Sequence, residues 1–189
     1  MVILTYIIVF LYMLLGGIAA WIYRKSPGSL PFGILCMLTV WLAVAQTTEA
    51  SYGDILEAKL LWRNLQLISY FYVPTFLLWF AMSYSMIHPA VSRRRLLLLS
   101  LLQAAGLGLI FTDSRHGLMR ETAELTLDGR LLVTPTWLYA AFLLVNAFVF
   151  VIGIGRLVRL AYAVRGVQRT RLLWITWGIM LPSMVAVLK

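Results

Sequence analysis

The sequence predicts an all-α fold: a polytopic transmembrane bundle of six helices, N-terminus outside, with a short β-hairpin in the outer loop between the fourth and fifth. Three observations carry this. The chain has 189 residues and is 62% hydrophobic, well above the roughly 45–50% apolar content of soluble domains. Apolar stretches run at 2–23, 30–48, 60–87, 96–112, 136–158 and 171–188, each near or above the roughly 18 residues that suit a membrane span. The charges between them segregate by turn. Turns after the first, third and fifth stretches hold Arg24 and Lys25; Arg93, Arg94 and Arg95; and Arg156, Arg159, Arg165, Arg169 and Arg171, with no acid among them. The 7 acids, Glu49, Asp54, Glu57, Asp113, Glu121, Glu124 and Asp128, all follow the second and fourth stretches. Basic turns favour the cytoplasmic side, so the N-terminus and the acidic loops face outward.

The first stretch begins without a positive n-region and its first cations come after it, so it reads as a retained helix rather than a cleaved signal peptide. Its Gly16-Gly17 step, with Ala19 and Ala20, presents small residues that admit a neighbouring helix. Ser26-Pro27-Gly28 makes a tight inner turn and Pro31 opens the second helix. The second helix ends in the polar segment Gln46-Thr47-Thr48-Glu49. The third is expected to start near Asp54 and to be kinked at Pro74, which removes one backbone hydrogen bond. Ala104 and Gly108 offer a small-residue face on the fourth. In the following loop, Asp128-Gly129 between the β-prone residues of 123–133 predicts a hairpin with a type I′ turn, against an irregular loop. The fifth helix follows Pro135 and runs past the inner surface through Tyr162 to near Gly166; the sixth carries Pro182.

No polar stretch is long enough to fold separately, so residues 1–189 form one transmembrane domain. Six crossings return the C-terminus outward, which predicts a seventh helix beyond Lys189. The net charge of +9 is concentrated on one side of the bilayer, which is topology and not a nucleic-acid footprint. The inner arginines also suit anionic lipid headgroups, at about 1 kcal/mol each. The lone Cys36 excludes an intramolecular disulfide.

Catalytic and metal chemistry find no support. His88 and His116 fall at opposite membrane surfaces, separated by a hydrocarbon core of about 30 Å. No HExxH, CxxC or phosphate-binding glycine loop occurs. Neither a cofactor nor an enzyme activity is expected. The informative groups are polar residues inside apolar helices. Gln103 and Asn146 both fall near mid-depth, where such groups either bond each other as interhelical glue or mark a cavity. The outer half of the third helix combines Trp62, Arg63, Asn64, Gln66, Ser69, Tyr70 and Tyr72. Trp62 and the tyrosines suit the interfacial aromatic belt, whereas Asn64, Gln66 and Ser69 suit a polar pocket opening outward. Glu49 and Thr48 border that pocket from the second helix, Asp113 and His116 from above, and Trp137 and Tyr139 from the fifth. The ligand-binding candidates are therefore Glu49, Trp62, Asn64, Gln66, Tyr70, Asp113, His116, Trp137, Tyr139 and Asn146.

Three segments together carry a family resemblance. The first is Lys59-Leu60-Leu61-Trp62 with Leu65, Pro74, Trp79-Phe80 and Tyr84; the second runs from Arg93-Arg94-Arg95 to Thr112-Asp113-Ser114-Arg115-His116-Gly117-Leu118; the third is Gln168 and Arg169 with Leu172-Leu173, Gly178 and Pro182. In order, spacing and topology they resemble the amino-terminal seven-transmembrane sensor region of bacterial histidine kinases. The second segment is similar to that family's Thr-Asn-x-x-His-x-Leu motif, with Asp113 in place of the usual Asn. The resemblance implies a multi-pass sensor in the bacterial cytoplasmic membrane. Such a domain senses a small extracellular or lipid-like ligand and signals to a cytoplasmic kinase module, in cis or in trans. It also implies a homodimer. Ligand binding is then expected to close the pocket under the hairpin and to shift the third and fifth helices between two states. Two other classes remain open: a small transporter or channel, which requires polar residues through the inner leaflet, and a membrane scaffold without a ligand, which requires a closed outer half.

Overall fold

A computed structural model describes residues 2–21, 25, 28–84, 93–126, 129–164, 166, 169 and 170. In chain order the elements are α1 (Val2–Trp21), α2 (Ser29–Ser51), α3 (Leu56–Tyr84), α4 (Arg93–Phe111), a 3-10 turn (Asp113–Arg115), β1 (Arg120–Leu125), β2 (Leu131–Pro135) and α5 (Trp137–Ala163). Helices α2 to α5 are each long and apolar enough to cross a membrane. The sixth apolar stretch, with Gln168 and Pro182, lies outside the described residues, as do His88 and the Ser26-Pro27 turn.

Local chemistry sets the ends of these helices. Gly28 takes φ 90, a left-handed value that suits glycine, and its carbonyl accepts from Phe32 N at 3.1 Å to start α2. Pro31 sits in the first turn of α2, where a missing N–H breaks no helix bond. Toward the outer end, the Thr47, Thr48 and Ser51 hydroxyls donate back to the carbonyls of Ala43, Val44 and Thr47 at 2.8, 2.8 and 2.9 Å. This satisfies polar groups on an apolar helix without a partner helix. Thr136 caps α5, its hydroxyl accepting from Tyr139 N at 3.4 Å while donating to Leu118 O at 2.6 Å. Helix α3 continues through Pro74.

Helix α3 is the hub, packing against α2, α4 and α5 and under both hairpin strands, while α1 packs on α2. Two apolar clusters lie along it. One joins Leu35, Leu77, Phe80, Ala81 and Leu157; the other, nearer the hairpin, joins Leu67, Phe71, Leu107, Ile110 and Met119. Glycines set the closest approaches. A Cβ on Gly16 stands 2.9 Å from Cys36 Cβ, and one on Gly153 stands 3.2 Å from Leu77 Cγ. The face of α4 differs from expectation. Ala104 and Gly108 are exposed, and the close approach is made by Gly106, whose Cβ would meet Phe142 and Phe71 at 2.8 Å.

The predicted hairpin is present, pairing Leu125 with Leu131, Ala123 with Val133 and Arg120 with Pro135 in antiparallel register, with an irregularity between Arg120 and Thr122. The type I′ turn expected at Asp128-Gly129 includes Asp128, which lies outside the described residues. Beside it, Gly129 N donates to Thr126 O and Thr126 N to Arg130 O, both at 2.8 Å. Gly129 takes φ 69, a left-handed value that suits glycine. Residues 127 and 128 are outside the described set.

Candidate outer-pocket site

The hairpin folds back over the end of the bundle that the charge pattern assigns to the outside, and two side chains of α3 tie it down. Lys59, 7% exposed, donates from Nζ to Gly129 O. From the strand side, Arg120 donates from Nη2 to Asn64 Oδ1. Between hairpin and helices lies a space of about 290 Å³, lined by Arg63 and Leu67 of α3, Arg120 of β1, Leu131, Leu132, Val133 and Pro135 of β2, and Tyr139 of α5. Its polar part is two guanidinium groups and a phenol; the rest is apolar.

The two arginines are held differently. Arg63 Nη2 meets Glu49 Oε1 at 3.0 Å, while its Nε is buried without a hydrogen-bond partner. Glu49 also accepts from Gln66, which is 1% exposed and whose amide lies 3.5 Å from Ala45 O. Arg120 is bound by a neutral amide instead of a carboxylate. Burial pushes its pKa down from the ordinary value, against the influence of Tyr139 and Asp113 and with that of Arg63.

Asp113 and His116 organise the turn that leads into β1. Asp113 Oδ1 accepts from Met119 N at 2.7 Å and seats the fully buried Met119 side chain in the outer cluster. His116 Nδ1 accepts from Leu118 N at 3.1 Å, and its Nε2 lies 3.1 Å from Thr112 Oγ1. Because the Thr112 hydroxyl donates to Gly108 O at 2.8 Å, the ring N–H sits on Nε2. The longer 3.6 Å approach of Nδ1 to Asp113 is then proximity and not an ion pair, since the lone pair on Nδ1 already serves Leu118 N.

Of the sequence-predicted residues, Tyr139 lines the space, Glu49 and Asn64 stand behind it holding its arginines, and Gln66 bonds Glu49 in turn. Asp113 and His116 shape the turn above. Tyr70 accepts from Gln46 Nε2 at 3.2 Å and packs with the outer cluster. Trp62 is half-buried and does not line the space. Trp137 points away, 80% exposed, as an interfacial belt residue does. Asn146 belongs elsewhere: it accepts from Gln103 Nε2 at 3.0 Å and donates to Phe142 O at 2.9 Å. It lies two turns below Tyr139 on α5, about 10 Å along the axis.

Sequence reasoning missed Arg63, Leu67 and Arg120 as lining residues, together with Leu131, Leu132, Val133 and Pro135. Part of the signal was available: residues two apart on a strand share a face, so placing the hairpin over the bundle turns the partly buried 131 and 133 inward together.

Comparison with protein families matches residues 4–189 to the N-terminal 7TM region of histidine kinase. No match was found among curated proteins or among solved structures.

Proposed function

The chain belongs to the N-terminal 7TM region of histidine kinases, a multi-pass membrane sensor region, and from that premise we propose that it is a ligand-binding input domain. It takes a small extracellular or lipid-like molecule into the pocket under the hairpin and signals to a cytoplasmic histidine kinase, as a homodimer in the bacterial cytoplasmic membrane. The observation that supports this is the pocket itself: apolar walls from Leu67 and β2, with Arg63, Arg120 and Tyr139 converging on one space.

The same geometry suggests how binding is felt. The roof, β1–β2, is joined to α3 by Lys59 and Asn64, and α3 in turn packs on α2, α4 and α5. A ligand that holds the roof more tightly in one arrangement of α3 and α5 than in another shifts the population toward it. Without different affinity for the two states, nothing is transmitted.

Two observations weigh against the other classes. A transporter needs a polar route through the inner half, where Leu35, Leu77, Phe80, Ala81 and Leu157 pack instead. A ligand-free scaffold needs a closed outer half, and here that half holds open space. The test is to fill the pocket. In the full-length protein, Val133→Trp is expected to lock the signalling output at one level and abolish its response to the inducing condition. An unchanged response would overturn the proposal.

A further inference from the structure

We infer that the pocket under the hairpin takes a compact amphiphilic oxyanion, with a carboxylate or phosphate head on Arg120 and a short apolar body against Leu67, Leu131 and Val133. This rests on the ligand-binding reading above and adds the chemical class to it.

The argument is charge accounting around two guanidinium groups. Arg63 is neutralised by Glu49 at 3.0 Å. Arg120 forms no ion pair among the described residues; it is bonded to the neutral Oδ1 of Asn64. Asp113 influences it at a distance but commits Oδ1 to Met119 N at 2.7 Å. The pocket therefore holds one partly buried cation that, among the described residues, no contacting acid compensates. Such a group gains more from an anionic partner than an exposed one does. A guanidinium has five N–H donors in a planar fork, and Asn64 occupies one side of it. The fork geometry favours two oxygens of one head group over a halide or a neutral carbonyl. Tyr139 adds a hydroxyl on the same wall.

The remainder of the lining sets the body of the ligand. Leu67, Leu131, Val133 and Pro135 offer no hydrogen-bonding side chain, so a multiply hydroxylated or zwitterionic molecule leaves polar groups unpaired there. The volume of about 290 Å³ stands at the small end of the roughly 300–1,000 Å³ usual for ligand pockets. That space suits a short chain or one small ring. A free carboxylate and the head of an anionic lipid share this chemistry, and both reach the outer end of the bundle.

The test uses the whole chain in nanodiscs of phosphatidylcholine, with radiolabelled octanoate as the probe and empty discs as background. Saturable octanoate binding is expected, with octanamide, the uncharged analogue, failing to compete. Arg120→Gln is expected to weaken binding about tenfold or more, while Arg120→Lys, which keeps the charge, retains part of it. Discs containing phosphatidic acid, whose head is a bare phosphate, separate the two sources. Loss of octanoate binding there assigns the site to a lipid head, and unchanged binding assigns it to a free anion. The inference is overturned if octanamide competes as well as octanoate, if Arg120→Gln binds normally, or if neither octanoate nor phosphatidic acid associates saturably. Such a failure is distinguishable from failure of the ligand-binding reading itself, which Val133→Trp tests separately, since filling the pocket does not depend on the ligand's charge.

Discussion

Arg63 and Glu49 meet at 3.0 Å across the α2–α3 contact, one side chain 42% exposed and the other 13%. The asymmetry matters. At the arginine the pair is screened by solvent and contributes little, but the carboxylate is also the acceptor for Gln66, which is 1% exposed. Glu49→Ala therefore leaves the buried Gln66 amide with only its 3.5 Å contact to Ala45 O and is expected to lower stability by about 1–3 kcal/mol, mostly through Gln66. Glu49→Gln keeps an acceptor and loses only the screened charge, so its loss is smaller. Thermal denaturation of the purified domain in detergent should rank wild type above Glu49→Gln and Glu49→Ala last. Equal losses would mean that the ion pair, and not Gln66, carries the contact.

The Gln103–Asn146 bond makes a separate prediction. It joins α4 to α5 at 3.0 Å, both residues being at most 5% exposed, and Gln103 Oε1 is left without a partner. Interhelical bonds of this kind in membranes contribute about 0.6 kcal/mol on average, with about 1.7 as an upper value. A double-mutant cycle with Gln103→Leu and Asn146→Leu is expected to give a coupling in that range and to leave octanoate binding unchanged. A change in ligand affinity would return Asn146 to the binding site.

How much of this is legible in the chain follows from what a membrane does to sequence signals. Charge alternation survives, because loops remain in water; it places Glu49, Asn64, Asp113 and Tyr139 together at the outer end of the bundle. The hairpin survives for the same reason, through Gly129. Helix rotation is less direct. In a soluble bundle the polar stripe shows which face is outward, but inside a membrane a lone polar residue marks the buried face: Gln103 does so on α4, and Gly106, three residues on, shares that face, whereas small-residue spacing alone favours Ala104 and Gly108. Trp137 is misplaced for a related reason, since an aromatic at the interface satisfies belt and pocket equally. Arg120 reads as loop charge, because only the hairpin's fold-back over α3 carries it to Asn64.

Asp113 stands where the resembling motif carries Asn, and the structure accounts for the exchange. What the position supplies is an acceptor for Met119 N, at 2.7 Å, and either side chain offers one. Asp113→Asn is expected to change stability little. Asp113→Ala, which strands that N–H and loosens the turn seating Met119, is expected to cost about 1 kcal/mol or more. Chemical denaturation of the two variants checks the order. A large loss in Asp113→Asn would show that the negative charge near Arg120, and not the turn, is what the residue provides.

Gly106 and Gly108 lie two residues apart on α4 and give opposite predictions for the same substitution. Alanine gains about 1 kcal/mol over glycine in a helix interior. At Gly108 nothing stands within 4 Å of the added carbon, so Gly108→Ala should be neutral or stabilising. At Gly106 the carbon would stand 2.8 Å from both Phe142 and Phe71. Phe71 is fully buried and its ring lies tilted against Phe142 at 6.1 Å, so it has little room to withdraw. Overpacking of this kind costs about 1–3 kcal/mol, which exceeds the propensity gain over most of that range. Gly106→Ala should therefore melt below wild type while Gly108→Ala does not. The effect should also reach the pocket, because Phe142 is one turn from Tyr139 and both pack in the outer cluster with Leu67. Octanoate binding is expected to weaken in Gly106→Ala and to hold in Gly108→Ala. A Gly106→Ala protein that melts and binds like wild type would mean that α4 does not approach α5 through this glycine.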